Sequence, residues 1–198
     1  MIEVIKLEGK SEEELLESIN QDEIHYSVEE IPGKLLKKKK YEMTYVKRSE
    51  VKDEIKEFIK NIEMAFKAKI NVEIRVSDNI YNIGLVSEDN AMLIGKEGRT
   101  LNSIQLLMQQ MINIKTGLRL RMNLDASNYK SKKQGRLEYE LKGIAREVLK
   151  TKIEAKLDPM NSYERRIVHS FISEYKDLET ESVGETPNRH IVIKYKED

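Results

Sequence analysis

Two glycines stand three residues apart, Gly95 and Gly98, with Lys96 and Glu97 between them, Ile94 before and Arg99 directly after. Residues of these types at this spacing suit anion recognition. A residue without Cβ lets the main chain turn sharply and lets a phosphate approach it closely. A helix predicted to begin near Arg99 would offer unsatisfied N–H groups and a partial positive charge at its first turn. Lys96 and Arg99 add full charges on either side, so the stretch reads as a clamp for a nucleic-acid backbone. Glu97 opposes a bound phosphate, although a carboxylate at a helix N-terminus is locally stabilising. A lone G-x-x-G is more often an ordinary loop, so its meaning depends on the elements around it.

Arg165 and His169 form a second constellation. Four residues apart, they share one helix face, although a buried histidine beside a surface arginine accounts for the pair taken alone. Arg189 follows Pro187 further on, and Lys130, Lys132, Lys133 and Arg136 make the first turns of the preceding helix basic. Catalysis finds no comparable set. The three histidines, His25, His169 and His190, have no H-x-x-x-H or H-E-x-x-H spacing, and no Walker-type phosphate loop occurs. The absence of cysteine excludes a thiol nucleophile, a disulfide framework and thiolate-bound zinc. No catalytic residue, metal or cofactor is therefore expected, and no small-molecule substrate.

Composition narrows the field further. Lys plus Arg and Asp plus Glu both total 35 in 198 residues, so any attraction to nucleic acid must come from local patches. A charged content of 35% suits small domains with much surface. Met1 to Lys6 lacks the apolar core of a signal peptide and no apolar run approaches a membrane span, which predicts a soluble cytoplasmic chain.

The elements that must position these residues follow from periodicity. Ile2 to Leu7 suggests a strand closed by Gly9, Ser11 to Glu14 a capping box opening a short helix, and Ile24, Tyr26 and Val28 a strand broken at Pro32-Gly33. Tyr41, Met43 and Tyr45 give a third strand, after the run Lys37 to Lys40, which reads as a solvated hairpin edge or a contact to RNA or anionic lipid. Val51 to Phe66 has helical spacing with Ser49 as cap. Ile70 to Val76 and Ile80 to Val86 alternate around an Asp78-Asn79 turn. After the glycine stretch, a helix presents Leu101, Ile104, Leu107, Met108 and Met111, with the two methionines as core filler. A strand follows, with Leu118 to Leu124 on one face and Arg119 and Arg121 on the other. A long helix is expected over Tyr129 to Lys156, stopped by Asp158-Pro159, then a helix capped by Ser162, a loop over Val183 to Pro187 and a strand from His190 to Tyr195.

The middle order, helix, strand, strand, turn, G-x-x-G, helix, strand, resembles the type II KH fold, and Ile94 to Leu101 resembles its loop. The resemblance implies a groove for about four unpaired nucleotides, phosphates at the loop and Ile94 in an aliphatic floor. The string Glu164-Arg165-Arg166-x-x-His169, then Thr180-Glu181-Ser182-x-Gly184-Glu185-x-Pro187-x-Arg189, resembles the single-stranded nucleic-acid-binding domain named for its Arg-x-x-x-His motif. That resemblance implies contacts from Arg165, His169 and Arg189, with Lys133 and Arg136 on the basic approach. The expected class is α+β in three small domains: a βαββ module over 1–48, a KH domain of order α-β-β-α-α-β over 49–126, and an α/β Arg-x-x-x-His domain over 127–198. The whole arrangement is similar to the Jag, or SpoIIIJ-associated, family of bacterial RNA-binding proteins. It departs from that family in Lys34-Leu35-Leu36-Lys37, where a turn with glycine and phenylalanine is usual, and in lacking a long linker before the KH domain. The resemblance implies single-stranded RNA as ligand, with single-stranded DNA as an alternative, and an RNA-chaperone or regulatory role linked to cell-wall synthesis and cell shape. It also implies a small KH-domain partner or self-association, and association with the membrane insertase. An adaptor in which protein contacts dominate and RNA binding is secondary is the rival reading.

Overall fold

A computed structural model describes residues 2–20, 23–32 and 39–196. It divides into two compact units, Met1–Tyr129 and Lys130–Asp198. The chain runs β1 (Ile5–Gly9), α1 (Glu12–Glu17), β2 (Ile24–Ile31), β3 (Lys40–Lys47), α2 (Arg48–Phe66), β4 (Ile70–Ser77), β5 (Ile80–Ser87), α3 (Asn90–Ile94), α4 (Arg99–Thr116), β6 (Arg121–Ala126), α5 (Tyr129–Thr151), β7 (Ala155–Lys156), α6 (Ser162–Ile172), β8 (Leu178–Val183) and β9 (His190–Tyr195). Three three-stranded sheets result, ordered β1-β3-β2, β4-β5-β6 and β7-β9-β8. The mixture of helix and sheet is the α+β class expected.

In the first sheet β3 lies between antiparallel β1 and β2. Ser11 accepts from the Glu14 N–H and caps α1, while the Glu14 carboxylate returns to the Lys10 N–H, one residue before the cap. Of the lysine run, Lys39 pairs with Glu30 and Lys40 with Glu8 at the sheet edge. Lys37, Lys38 and the Lys34–Lys37 turn lie outside the described residues. β3 runs into α2 without a linker, and Ser49 is not its cap: Lys47 holds that position with no side-chain bond.

The first two sheets meet in one core. Val46 from β3 joins Val51, Ile55 and Ile59 of α2 and Tyr81, Ile83 and Leu85 of β5. Arg48 bridges the two sheets, donating from Nε to the Ile24 carbonyl at 3.0 Å and from Nη2 to Asn79 Oδ1 at 2.8 Å. The rings of His25 and Tyr81 pack 5.0 Å apart. β4 and β5 pair antiparallel around Asp78 and Asn79, both at positive φ as a primed hairpin turn requires. β6 adds parallel to β5. On α4, Leu101, Ile104, Met108 and Ile112 face inward and Met111 is half-buried, but Leu107 is 57% exposed, outside the core stripe expected of it. It lies past the edge of the arc centred on Met108, where Ile112 takes its place.

The second unit packs Leu141, Ala145 and Val148 of α5 and Val168 and Ile172 of α6 on Leu178, Ile191 and Ile193 of the third sheet. α5 ends earlier than Asp158-Pro159 predicts. Lys152 turns into the left-handed region at φ 60, which frees residues 155 and 156 to pair with β9. The cap of α6 is Asn161, not Ser162, in a complete capping box with Glu164.

Candidate nucleic-acid interface

The glycine turn is held from both sides. Upstream, the Asn90 side chain accepts from the Ser87 N–H and donates to the Ser87 carbonyl at 2.6 Å, and Asp89 caps α3 through the Met92 N–H. Leu93 is fully buried and anchors the short helix, leaving Ile94 half-buried on the core margin. Gly95 then takes φ 69 and ψ −178, and a Cβ there would stand 2.1 Å from Thr100 Oγ1. Lys96–Gly98 form one tight turn, closed by the Gly98 N–H to the Gly95 carbonyl at 3.3 Å. Gly98 takes φ 78, and a Cβ would meet the Tyr129 ring at 2.7 Å. Neither position accommodates a side chain.

The consequence lies at the start of α4. Its cap residue is Gly98, which brings no side chain to accept from the first N–H groups. A helix start whose cap residue has no side chain presents donors and positive potential outward, which suits an anion with several oxygens. Lys96, Glu97 and Arg99 are all exposed around it, with Glu97 at the apex in the left-handed region at φ 55. The turn brings together the six residues the sequence singled out here. An open cleft of about 790 Å³ in the same unit, lined by His25, Glu29, Asp78, Arg119 and Arg121 among others, shares none of them. A backbone clamp works on an open surface and needs no enclosed volume.

The second constellation is assembled across three elements. His169 on α6 meets Thr180 on β8 through Nδ1 and Oγ1 at 2.6 Å. Arg165, one turn earlier, donates from Nη1 to the Met160 carbonyl at 2.8 Å. Met160 in turn donates its N–H to the Arg189 carbonyl, and Arg189 donates from Nε to Ser182 Oγ at 3.0 Å. Two arginines and one imidazole thus converge on the loop before α6 and on β8, each held by one hydrogen bond, and both guanidinium groups keep further donors. Thr180 and Ser182 share the face of β8 toward α6, while Glu181 between them pairs with Lys194 at 2.6 Å, which holds its carboxyl below the usual range.

Lys133 and Arg136 have different surroundings. Lys133 reaches Glu164 Oε1 at 2.7 Å, while Glu164 Oε2 accepts from the Asn161 N–H, so the lysine ties α5 to the cap of α6. Arg136 is exposed and forms no ion pair among the described residues. Glu164 and Glu181 each have their own partner, and the described residues include no group of three His, Asp or Glu able to hold a metal. Thr180 and Ser182 belong to the string that carries the resemblance but have no role assigned from sequence, and the Met160 carbonyl has no residue-type signal at all. Tyr129 is signalled only by a glycine that needs a neighbour.

These features define a protein with a KH domain followed by an Arg-x-x-x-His domain. The family model described as the KhpA/KhpB KH domain matches residues 52–124, and the model of the domain named for the Arg-x-x-x-His motif matches residues 138–195. The chain is 37% identical to the RNA-binding protein KhpB of Clostridium symbiosum over 155 residues, 77% of this chain and 70% of the relative. It is 36% identical to the RNA-binding protein KhpB of Bacillus subtilis over 141 residues, 70% and 68% of the two chains. The chain belongs to the KhpB family. Among the described residues no helix is long and apolar enough to cross a membrane.

Proposed function

We propose that this chain binds single-stranded RNA through the phosphate backbone, using the Gly95–Arg99 turn in one unit and the Arg165, His169 and Arg189 face in the other. The observation that carries the reading is the start of α4, whose cap residue Gly98 brings no side chain, behind a turn that only glycine permits, flanked by Lys96 and Arg99. Ile94 supplies the floor under the bases. The names of the KhpB relatives support RNA over DNA. Two weak sites on one chain reinforce each other through effective concentration. The reading includes a division into modules over 1–48, 49–126 and 127–198, a cytoplasmic location, and a post-transcriptional role linked to cell-wall synthesis and cell shape.

Binding of an unstructured RNA across a salt series tests this, with the native chain, Lys96→Asp and Arg165→Ala/His169→Ala compared after each is shown to be folded. The expected result is weaker binding and a flatter salt dependence for both variants, with little affinity for duplex RNA. Equal affinity for single-stranded and duplex RNA, or indifference to both variants, refutes it.

One observation favours a second reading, an adaptor that recruits a small KH-domain partner, a second copy or the membrane insertase. The outer side of α4 exposes Leu107 and, at 83%, Ile114, and the helix carries no charge between Arg99 and Lys115. Native mass measurement, alone and with such a partner, tests it. A strict monomer indifferent to the partner removes the adaptor.

A further inference from the structure

Helix α5 buries Leu141, Ala145 and Val148. On the side turned away from these residues, Lys132, Arg136, Tyr139, Lys142, Gly143, Arg146 and Lys150 follow one another at helical spacing, and all are exposed. None of the five cations forms an ion pair among the described residues. The acidic residues of the helix lie on the flanks: Glu138 accepts from Gln134 on one side, and Glu140 and Glu147 lie on the other. Lys133 faces α6, paired with Glu164. A solvated face in a chain with equal numbers of acids and bases would interleave the signs. Here they are segregated.

Tyr139, at 78% exposure, stands in the middle of the row and packs into neither core. Gly135 and Gly143 sit beside it on the same side, with nothing near the position a Cβ would take. They leave the row low on both sides of the ring, so a chain lying along the helix can come close. From Lys132 to Lys150 the row is about 27 Å long at 1.5 Å per residue.

We propose that this row is a third contact for RNA, a track on which a single strand lays its phosphates along the five cations and stacks one base on Tyr139. The proposal rests on the RNA-binding reading above but uses residues outside both sites named there, Arg136 excepted. A regular row of unpaired cations suits a polyanion of regular charge spacing. An exposed ring among cations suits a base, since every base has a face to stack. A membrane surface suits it less well, because a helix lying on lipid needs a free apolar face, and the apolar face of α5 is already buried in the fold.

The test uses the full chain, a short oligonucleotide that fills one site and a long unstructured RNA. It compares Lys132→Gln/Arg136→Gln/Lys142→Gln/Arg146→Gln/Lys150→Gln, the smaller Lys142→Gln/Arg146→Gln in case the first folds poorly, and Tyr139→Ala. Each neutralised cation is expected to flatten the slope of log affinity against log salt by about 0.7, so by about 3.5 for five and 1.4 for two. Tyr139→Ala is expected to weaken long-RNA binding about tenfold, the effect of one lost stack. Short-oligonucleotide binding should change little for Lys142→Gln/Arg146→Gln and for Tyr139→Ala. If the row variants leave long-RNA affinity and slope intact while Lys96→Asp or Arg165→Ala/His169→Ala weaken binding, the track is refuted and the two-site reading stands. If the native chain does not bind RNA at all, both fall together. Flotation with phosphatidylglycerol vesicles that is lost in the row variants, with RNA binding unchanged, assigns the row to anionic lipid and overturns the proposal.

Discussion

His25 provides the most quantitative prediction. The ring is 6% exposed at the seam of the first two sheets, against Tyr81 and close to Arg48, and its Nε2 has no hydrogen-bond partner among the described residues. Burial, aided by the Arg48 charge, lowers its pKa from 6.5 to about 4. The unfolded chain therefore binds a proton through this ring below about pH 6.5 that the folded chain refuses until about pH 4, so stability falls as pH falls across that window. Linkage with those two values gives a loss of about 2 kcal/mol at pH 5 and about 3 kcal/mol at pH 4, relative to pH 7.5. His25→Phe keeps a ring against Tyr81 and removes both the titrating group and the unpartnered nitrogen. Urea unfolding of the native chain and the variant at pH 7.5, 6 and 5 measures the difference. Taking that difference cancels the carboxylates, such as Glu8 and Glu181, that also lose their partners in acid. The variant should be at least as stable at neutral pH, because an unsatisfied buried nitrogen costs about 1–3 kcal/mol. It should gain about 2 kcal/mol on the native chain by pH 5. Parallel stability curves for the two proteins would refute the reasoning, since the proton would then not be excluded from the folded ring.

Two further outcomes follow from the sites. Gly98→Ala places a side chain at φ 78 and 2.7 Å from the Tyr129 ring, so chemical unfolding should show a loss of about 1–3 kcal/mol, part of it recovered when Tyr129→Leu is added. Thr180→Val removes the partner of His169 Nδ1 while keeping the shape of the side chain. RNA affinity should fall about fivefold, one ordinary hydrogen bond's worth, with a shift of the His169 ring signals in NMR and little change in unfolding midpoint.

The sequence displayed the helices and strands that carry an unbroken apolar period, and the two candidate binding strings as well. Gly95 and Gly98 announce themselves because only a backbone without Cβ makes that turn, and Arg165 and His169 because four residues is one helical turn. The failures have two causes. Ser49 and Ser162 are good capping residues beside helix starts, but the end of β3 fixes where α2 begins, and Asn161 outcompetes Ser162 by closing a box with Glu164. β7 is only two residues long and is made a strand by its pairing with β9, which no local pattern encodes. Leu107 counts as core on hydropathy alone, yet the geometry of α4 turns it outward. For α2 and β7 a tertiary contact chose among several local solutions that the residues permit, whereas for α6 and Leu107 the choice lies in local geometry.

Tertiary contacts also separate charges that act on a ligand from charges that act on the fold. Lys133 and Arg136 look alike in sequence, two cations at the start of one helix. The structure commits Lys133 to Glu164, and through it to the cap that sets where α6 starts and so where Arg165 and His169 point. Its neutralisation should disturb RNA binding indirectly, by loosening that geometry. Arg136, three residues on, has no such engagement and can act only through what comes to it from solution. A cation already bonded to a carboxylate brings little net charge to a phosphate, whereas a solvated one releases a counterion when it binds. The salt slope therefore distinguishes the two. Removing Arg136 should flatten it and removing Lys133 should not, even where both lower affinity by the same factor.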